Sequence, residues 1–142
     1  GDTADPAMNS GNHVMLVGDL ITWLYEDVAG IAPDEDRPGF RHILMRPTPV
    51  GDLTSVKASY RSLYGLISSE WRRDGPAFSL DVSVPANATA TVYVPARDAA
   101  AVTESGGPAA QAEGVRFLRS EGGAAVYEIG SGAYHFRSGT GG

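Results

Sequence analysis

FSLDVSVPANATATVYVP, residues 78–95, is the stretch that decides how this chain is read. Its first half alternates Phe78, Leu80, Val82 and Val84 against Ser79, Asp81 and Ser83. That period of two puts the apolar side chains on one face of a strand. Pro85 ends the strand, Ala86-Asn87 supplies a two-residue turn, and ATATVYVP (88–95) forms a second strand that ends at Pro95. A hairpin turn is the expectation at Ala86-Asn87. Asn87-Ala88-Thr89 also fits an N-glycosylation sequon, which has meaning only in a eukaryotic secretory context.

Outward from this stretch the same signal recurs. FRHILMRP (40–47) reads as a strand stopped by proline. LTSVKASYRS (53–62) sets Val56, Ala58 and Tyr60 on one face and Lys57, Ser59 and Arg61 on the other. YGLISSEWRR (64–73) brings Ile67, Ser69 and Trp71 to a common face. Towards the C-terminus, AVTESGG, GVRFLRSEGG, AAVYEIGSG and AYHFRSG each close on glycine, and Gly130-Ser131-Gly132 precedes a strand, so it reads as a turn. Seven to nine short strands with turn signals between them predict a mainly β chain, an antiparallel β-sandwich over residues 32–142.

Residues 1–31 read differently. Val17, Leu20, Ile21, Leu24 and Val28 form one stripe at helical spacing, and Val14, Met15, Leu16 and Trp23 extend the apolar surface around most of the circumference. Asn9 or Ser10 is placed to cap the start, and Gly30 sits at the C′ position. A helix apolar nearly all round is normally buried between other elements. This chain holds no second long helix to cover it. The expected division is therefore a tail and one unpartnered helix over 1–31, followed by the sandwich.

Composition narrows the function classes. At 142 residues the chain is long enough for a real core, and it has no cysteine, so no disulfide or thiolate zinc site holds it together. Lack of cysteine suits a reducing compartment and many exported bacterial proteins alike. No apolar run approaches the roughly 20 residues a membrane span needs, and residues 1–8 lack the regions of a signal peptide. Net charge is −6, with eight acids and no Lys or Arg in residues 1–36. The remainder is near neutral, and no run is basic enough to neutralise phosphates, so neither nucleic acid nor membrane is expected as a partner.

Few residues carry chemistry. Hydrolysis of glycosides usually needs two carboxylates across a cleft, and the acids here sit in adjacent groups, Glu26-Asp27 and Asp34-Glu35-Asp36, that read as solvated surface. His13, His42 and His135 show no metal-ligand spacing, and neither a nucleophile elbow nor a phosphate loop is present. No cofactor is called for. His13 stands out, and two readings of it are open: a buried histidine bonded to backbone at a helix start, or a hydroxyl donor at the rim of a sugar pocket. Asn12 either caps that helix or helps to orient the pocket.

MNSGNHVMLVGDLITWLYEDVAGI (8–31), PGFRHILMRP, VKASYRSLYGLISSEW, VPANATATVYVP, VTESGG and YEIGSGAYHF follow one another in order. Together they resemble the C-terminal end of bacterial α-L-rhamnosidases, the family 78 glycoside hydrolases. The resemblance implies that an (α/α)6 catalytic barrel precedes the sandwich and that the helix from Asn12 to Ala29 is its last. It implies inverting hydrolysis of terminal α-L-rhamnosides by an acid and a base on that barrel, upstream of Gly1. It also matches Asn12-His13 to the family's Asn-His pair, whose His is implicated in holding rhamnose, although Gly11 and Val14 stand where many members carry aromatics. The implied partners are the missing barrel and a rhamnose-containing glycoside in the whole enzyme, with self-association through the exposed helix in the isolated chain.

Two other readings compete. One is a stand-alone carbohydrate-binding sandwich with an aromatic platform drawn from Tyr60, Trp71, Tyr93 or Tyr134. The other is an assembly domain with no ligand. Trp71 separates the first two: a platform requires it exposed on a sheet face, whereas a supporting domain requires it buried.

Overall fold

Residues 78–84 form a strand in which Phe78, Leu80, Val82 and Val84 are buried and the residues between them are half-exposed. The computed structural model describes residues 31–33, 42–47, 54–62 and 65–140. The strands are β1 (Ile31–Pro33), β2 (His42–Met45), β3 (Ser55–Ser62), β4 (Gly65–Asp74), β5 (Ala77–Val84), β6 (Thr89–Pro95), β7 (Thr103–Glu104), β8 (Gly107–Pro108), β9 (Val115–Glu121), β10 (Ala124–Ile129) and β11 (Gly132–Gly139). The described residues contain no α-helix, only short 3-10 turns such as Ala99–Ala101 and Ala109–Gln111. The helix expected over residues 12–29, with Asn12 and His13, lies outside them.

The strands make two sheets. One has five strands in the order β1-β2-β6-β10-β9, the other six in the order β3-β4-β5-β11-β7-β8. Both are antiparallel except for one ladder, in which β2 runs parallel to β6 with His42 beside Thr89 and Met45 beside Val92. A parallel pair needs a long crossover, and this one uses the three strands β3, β4 and β5 of the other sheet. The antiparallel sandwich expected from sequence is present, with this one parallel ladder as its exception among the described residues.

The expected hairpin at Ala86-Asn87 is corrected. The turn is real, with the Ala88 amide donating to the Pro85 carbonyl at 3.3 Å and Asn87 at φ +67°. Its flanking strands, however, belong to different sheets: β5 pairs with β4 and β11, whereas β6 pairs with β2 and β10. Alternation alone cannot tell a hairpin from a sheet-to-sheet crossing, because both need a strand, a tight turn and a strand. A true two-residue hairpin joins β9 to β10 through Gly122 and Gly123, both at positive φ, as the twist of paired strands prefers.

Between the sheets lies one core. Ile43, Met45, Ala90, Val92, Tyr127 and Ile129 come from the five-stranded sheet, and Val56, Ile67, Trp71, Leu80, Val82 and Phe136 from the other. Each large aliphatic or aromatic side chain removed from water contributes roughly 1.5–3 kcal/mol. Tyr127 and Phe136 stack across the gap at 5.5 Å, Phe117 meets Tyr127 edge-on at 5.6 Å, and Tyr134 continues the row at 6.3 Å from Phe136. Trp71 stacks on Phe78 at 6.0 Å and is fully buried, and its indole N–H has no hydrogen-bond partner among the described residues.

Tyr134 fastens one end of the sandwich. Its hydroxyl donates to the Gly130 carbonyl at 3.0 Å, where the chain leaves the five-stranded sheet for β11, and the Gly130 amide donates to the Gly114 carbonyl at 3.1 Å. Gly114 sits at φ +81°, and a Cβ there would lie 2.6 Å from the Tyr134 hydroxyl oxygen. Gly114→Ala is therefore expected to cost about 2 kcal/mol in urea denaturation, from left-handed backbone plus steric contact. Gly139→Ala, whose Cβ would meet its nearest neighbour at 4.0 Å, is expected to change stability by less than about 0.5 kcal/mol.

Candidate functional site

Among the described residues, polar side chains gather outside the core in three places that bear on function. The first is on the outer face of the five-stranded sheet, where His42 and Leu44 alternate with the core residues Ile43 and Met45. His42 is 2% exposed, and its ring bridges two threonines, with Nδ1 2.6 Å from the Thr89 hydroxyl and Nε2 2.6 Å from that of Thr91. A hydroxyl donates or accepts by rotating, so either neutral tautomer is satisfied there. This histidine stitches β2 to β6.

The second cluster is a cleft of about 320 Å³ at one end of that face, lined by Arg46, Pro47, Tyr93, Pro95 and the Glu121–Ala124 turn. The Arg46 guanidinium lies 4.0 Å above the centroid of the Tyr93 ring, and Arg119 donates to the Tyr93 hydroxyl at 3.2 Å. Glu121 accepts from Arg119 at 2.6 Å and lies 3.9 Å from Arg46. The hydrogen bond from Arg119 and the charges of both arginines hold the Glu121 carboxyl below its ordinary range. Such a group is poorly suited to donate a proton, and it is the only carboxylate lining the cleft among the described residues. The same pairing raises Arg119 further.

The third cluster occupies the outer face of the six-stranded sheet. Asp81 accepts from Arg137 at 3.3 Å and faces His135 Nδ1 at 3.0 Å, and the Glu104 carboxylate accepts from the His135 amide at 3.1 Å. These side chains are about half-exposed on a pleated surface, not in a cleft. His42 and His135 therefore sit on opposite outer faces. No group of three or more metal-ligating side chains occurs among the described residues.

The aromatic platform does not form from the residues that can be tested. Trp71 is fully buried, Tyr134 is 6% exposed with its hydroxyl engaged, and Tyr93 has a guanidinium over its ring. The side chain of Tyr60 lies outside the described residues, as do Asn12 and His13. The Arg46–Tyr93–Arg119–Glu121 cluster was not anticipated from sequence. Its members come from the end of β2, from β6 and from β9, strands of one sheet that are distant in sequence, so no local spacing unites them.

The described part is thus a two-sheet sandwich, without a paired-carboxylate cleft among its described residues. The sequence model of the bacterial alpha-L-rhamnosidase C-terminal domain family matches residues 30–108, more than half of the chain, and the chain belongs to that family. An α-L-rhamnosidase of Streptomyces avermitilis is 40% identical over 136 residues, covering 96% of this chain and 12% of that protein. The crystal structure of the Streptomyces avermitilis α-L-rhamnosidase complexed with L-rhamnose matches 81% of this chain and 10% of its own, with a TM-score of 0.70 and 39% identity. The α-L-rhamnosidase structure from Dictyoglumus thermophilum matches with a TM-score of 0.69 and 31% identity, over 81% of this chain and 13% of that one. The chain spans about an eighth of the length of the curated relative it matches over nearly its full extent.

The depressed carboxyl of Glu121 makes a pH prediction. Its pairing favours the folded state above the ordinary carboxylate pKa of 4.5, and that contribution is lost as pH falls through the lower folded value. Glu121→Gln is expected to lower stability slightly at pH 7, with the difference from the parent shrinking as pH falls through the lowered folded value of Glu121. Urea midpoints across that range check it.

Proposed function

We propose that this chain is the C-terminal support domain of an α-L-rhamnosidase, a glycosidase acting on terminal α-L-rhamnosides with inversion. The observation that carries the reading is the family match over residues 30–108, together with relatives about eight times as long. The enzyme's acid and base belong to a helical barrel outside this sequence. Residues 1–31 complete that barrel, and residues 32–142 form the sandwich that buttresses it. Two features support a supporting role over a sugar-binding one. Trp71 is buried under Phe78, and the charged groups of the cleft beside Tyr93 are already paired with one another.

In this reading His13 donates a hydrogen bond to a rhamnose hydroxyl at the start of the last barrel helix, and Asn12 orients that start. In the intact polypeptide, His13→Ala is expected to lower kcat/KM by about tenfold to a hundredfold, the worth of one well-formed bond to bound sugar. The purified 142-residue chain is expected to release no aryl alcohol from an aryl α-L-rhamnoside. Turnover by that chain alone would refute the assignment of acid and base to a region outside it.

A further inference from the structure

The two outer faces of the sandwich are not alike. On the six-stranded sheet the outward side chains of Glu70, Arg72, Asp81, Ser83, His135 and Arg137 are exposed or half-exposed, and among the described residues of that face only Ser59 near the edge is buried. On the five-stranded sheet, His42 and Val126 are buried although they point away from the core. Val126 is 0% exposed yet is not part of the core cluster that holds its neighbours Ala125 and Tyr127. The main described elements packed on β2, β6 and β10 are their own ladder neighbours and, across the core, β5 and β11. None of these crosses that outer face.

We infer that the outer face of the five-stranded sheet is the docking surface for residues 12–29 of this same chain. Connectivity is the first argument. Gly30 leads directly into Ile31, the first residue of β1, which pairs with β2 at the edge of this sheet. The sheet's inner face is filled by the core, so the broad face within reach of the segment is the outer one. Dimensions agree: an 18-residue helix is about 27 Å long, and five strands span about 19 Å. Chemistry agrees too. Leu20, Ile21 and Leu24 supply an apolar stripe for Leu44 and Val126, and the segment's side chains charged at pH 7, His13 aside, are Asp19, Glu26 and Asp27. The facing sheet offers Arg46, Arg116 and Arg119 against Glu121 and Glu128, a surplus of one positive charge.

The inference rests on this face and this segment, and it stands or falls separately from the glycosidase reading. The chain contains no cysteine, so a single introduced thiol reports on its own surroundings. Val126→Cys is a near-isosteric change, and Ser83→Cys on the opposite outer face is the reference. In the full 142-residue chain, Cys at 126 is expected to react with a maleimide at least about 100-fold more slowly than Cys at 83. Adding Leu20→Glu and Leu24→Glu is expected to raise the rate at 126 at least tenfold, with Trp71 packing retained by near-UV circular dichroism. Leu44→Cys serves as a second reporter if Val126→Cys does not fold. Equal rates at 126 and 83 would overturn the inference. So would a slow rate unaffected by the two glutamates, or one that quickens on dilution, which would assign the cover to a second copy.

Discussion

The parallel ladder between β2 and β6 is the joint on which the rest of the molecule depends. Among the described residues, β1 and β2 join the hydrogen-bonded ladder of their sheet through β6, over four residue pairs. Parallel pairs are slightly less stable per residue than antiparallel ones, and here the shortfall is offset by side chains. His42 is clamped between the Thr89 and Thr91 hydroxyls on the outer face, and Ile43 and Met45 are fully buried on the inner one. At the far end of the ladder, Arg46 lies over Tyr93. The joint is therefore fixed on both faces and at its exit.

Much of this architecture was legible in the sequence. β5 alternates so regularly that its buried set matches the pattern residue for residue, and Ile67, Ser69 and Trp71 all fall on the inner face of β4 as the periodicity requires. What alternation cannot carry is partner choice. The Ala86-Asn87 turn looks like a hairpin and is a crossing between sheets, and nothing local in FRHILMRP marks β2 as the parallel strand. β1 was absorbed into the end of the helical pattern, because Ile31 continues that apolar run while its pairing with Met45 is fixed fourteen residues further on.

The site residues expected from sequence were singled out by their place at a helix start and then by resemblance. Asn12 and His13 lie outside the described residues, and the polar clusters that the structure does contain are assembled from distant strands. Tyr93, Arg119 and Glu121 meet because β10 lies between β6 and β9 and the β9–β10 turn is tight. Their internal pairing leaves little for a ligand. Burial of Trp71, by contrast, was a question the sequence could pose but not answer: a tryptophan on an alternating strand faces inward or outward depending on which sheet face meets a second sheet.

In the proposed reading the sandwich holds the catalytic barrel in place, and its effect is on endurance more than on affinity. The direct measurement is the half-life of the proposed α-L-rhamnosidase activity at elevated temperature for the intact polypeptide carrying Leu44→Asp, with Ser83→Asp on the opposite face as reference. Leu44 is half-buried on the five-stranded sheet, so the sandwich itself should tolerate the change. The account predicts a shortened half-life with KM unchanged, and an unaltered half-life for the reference. An unaltered half-life for Leu44→Asp, or a raised KM with normal endurance, would contradict it.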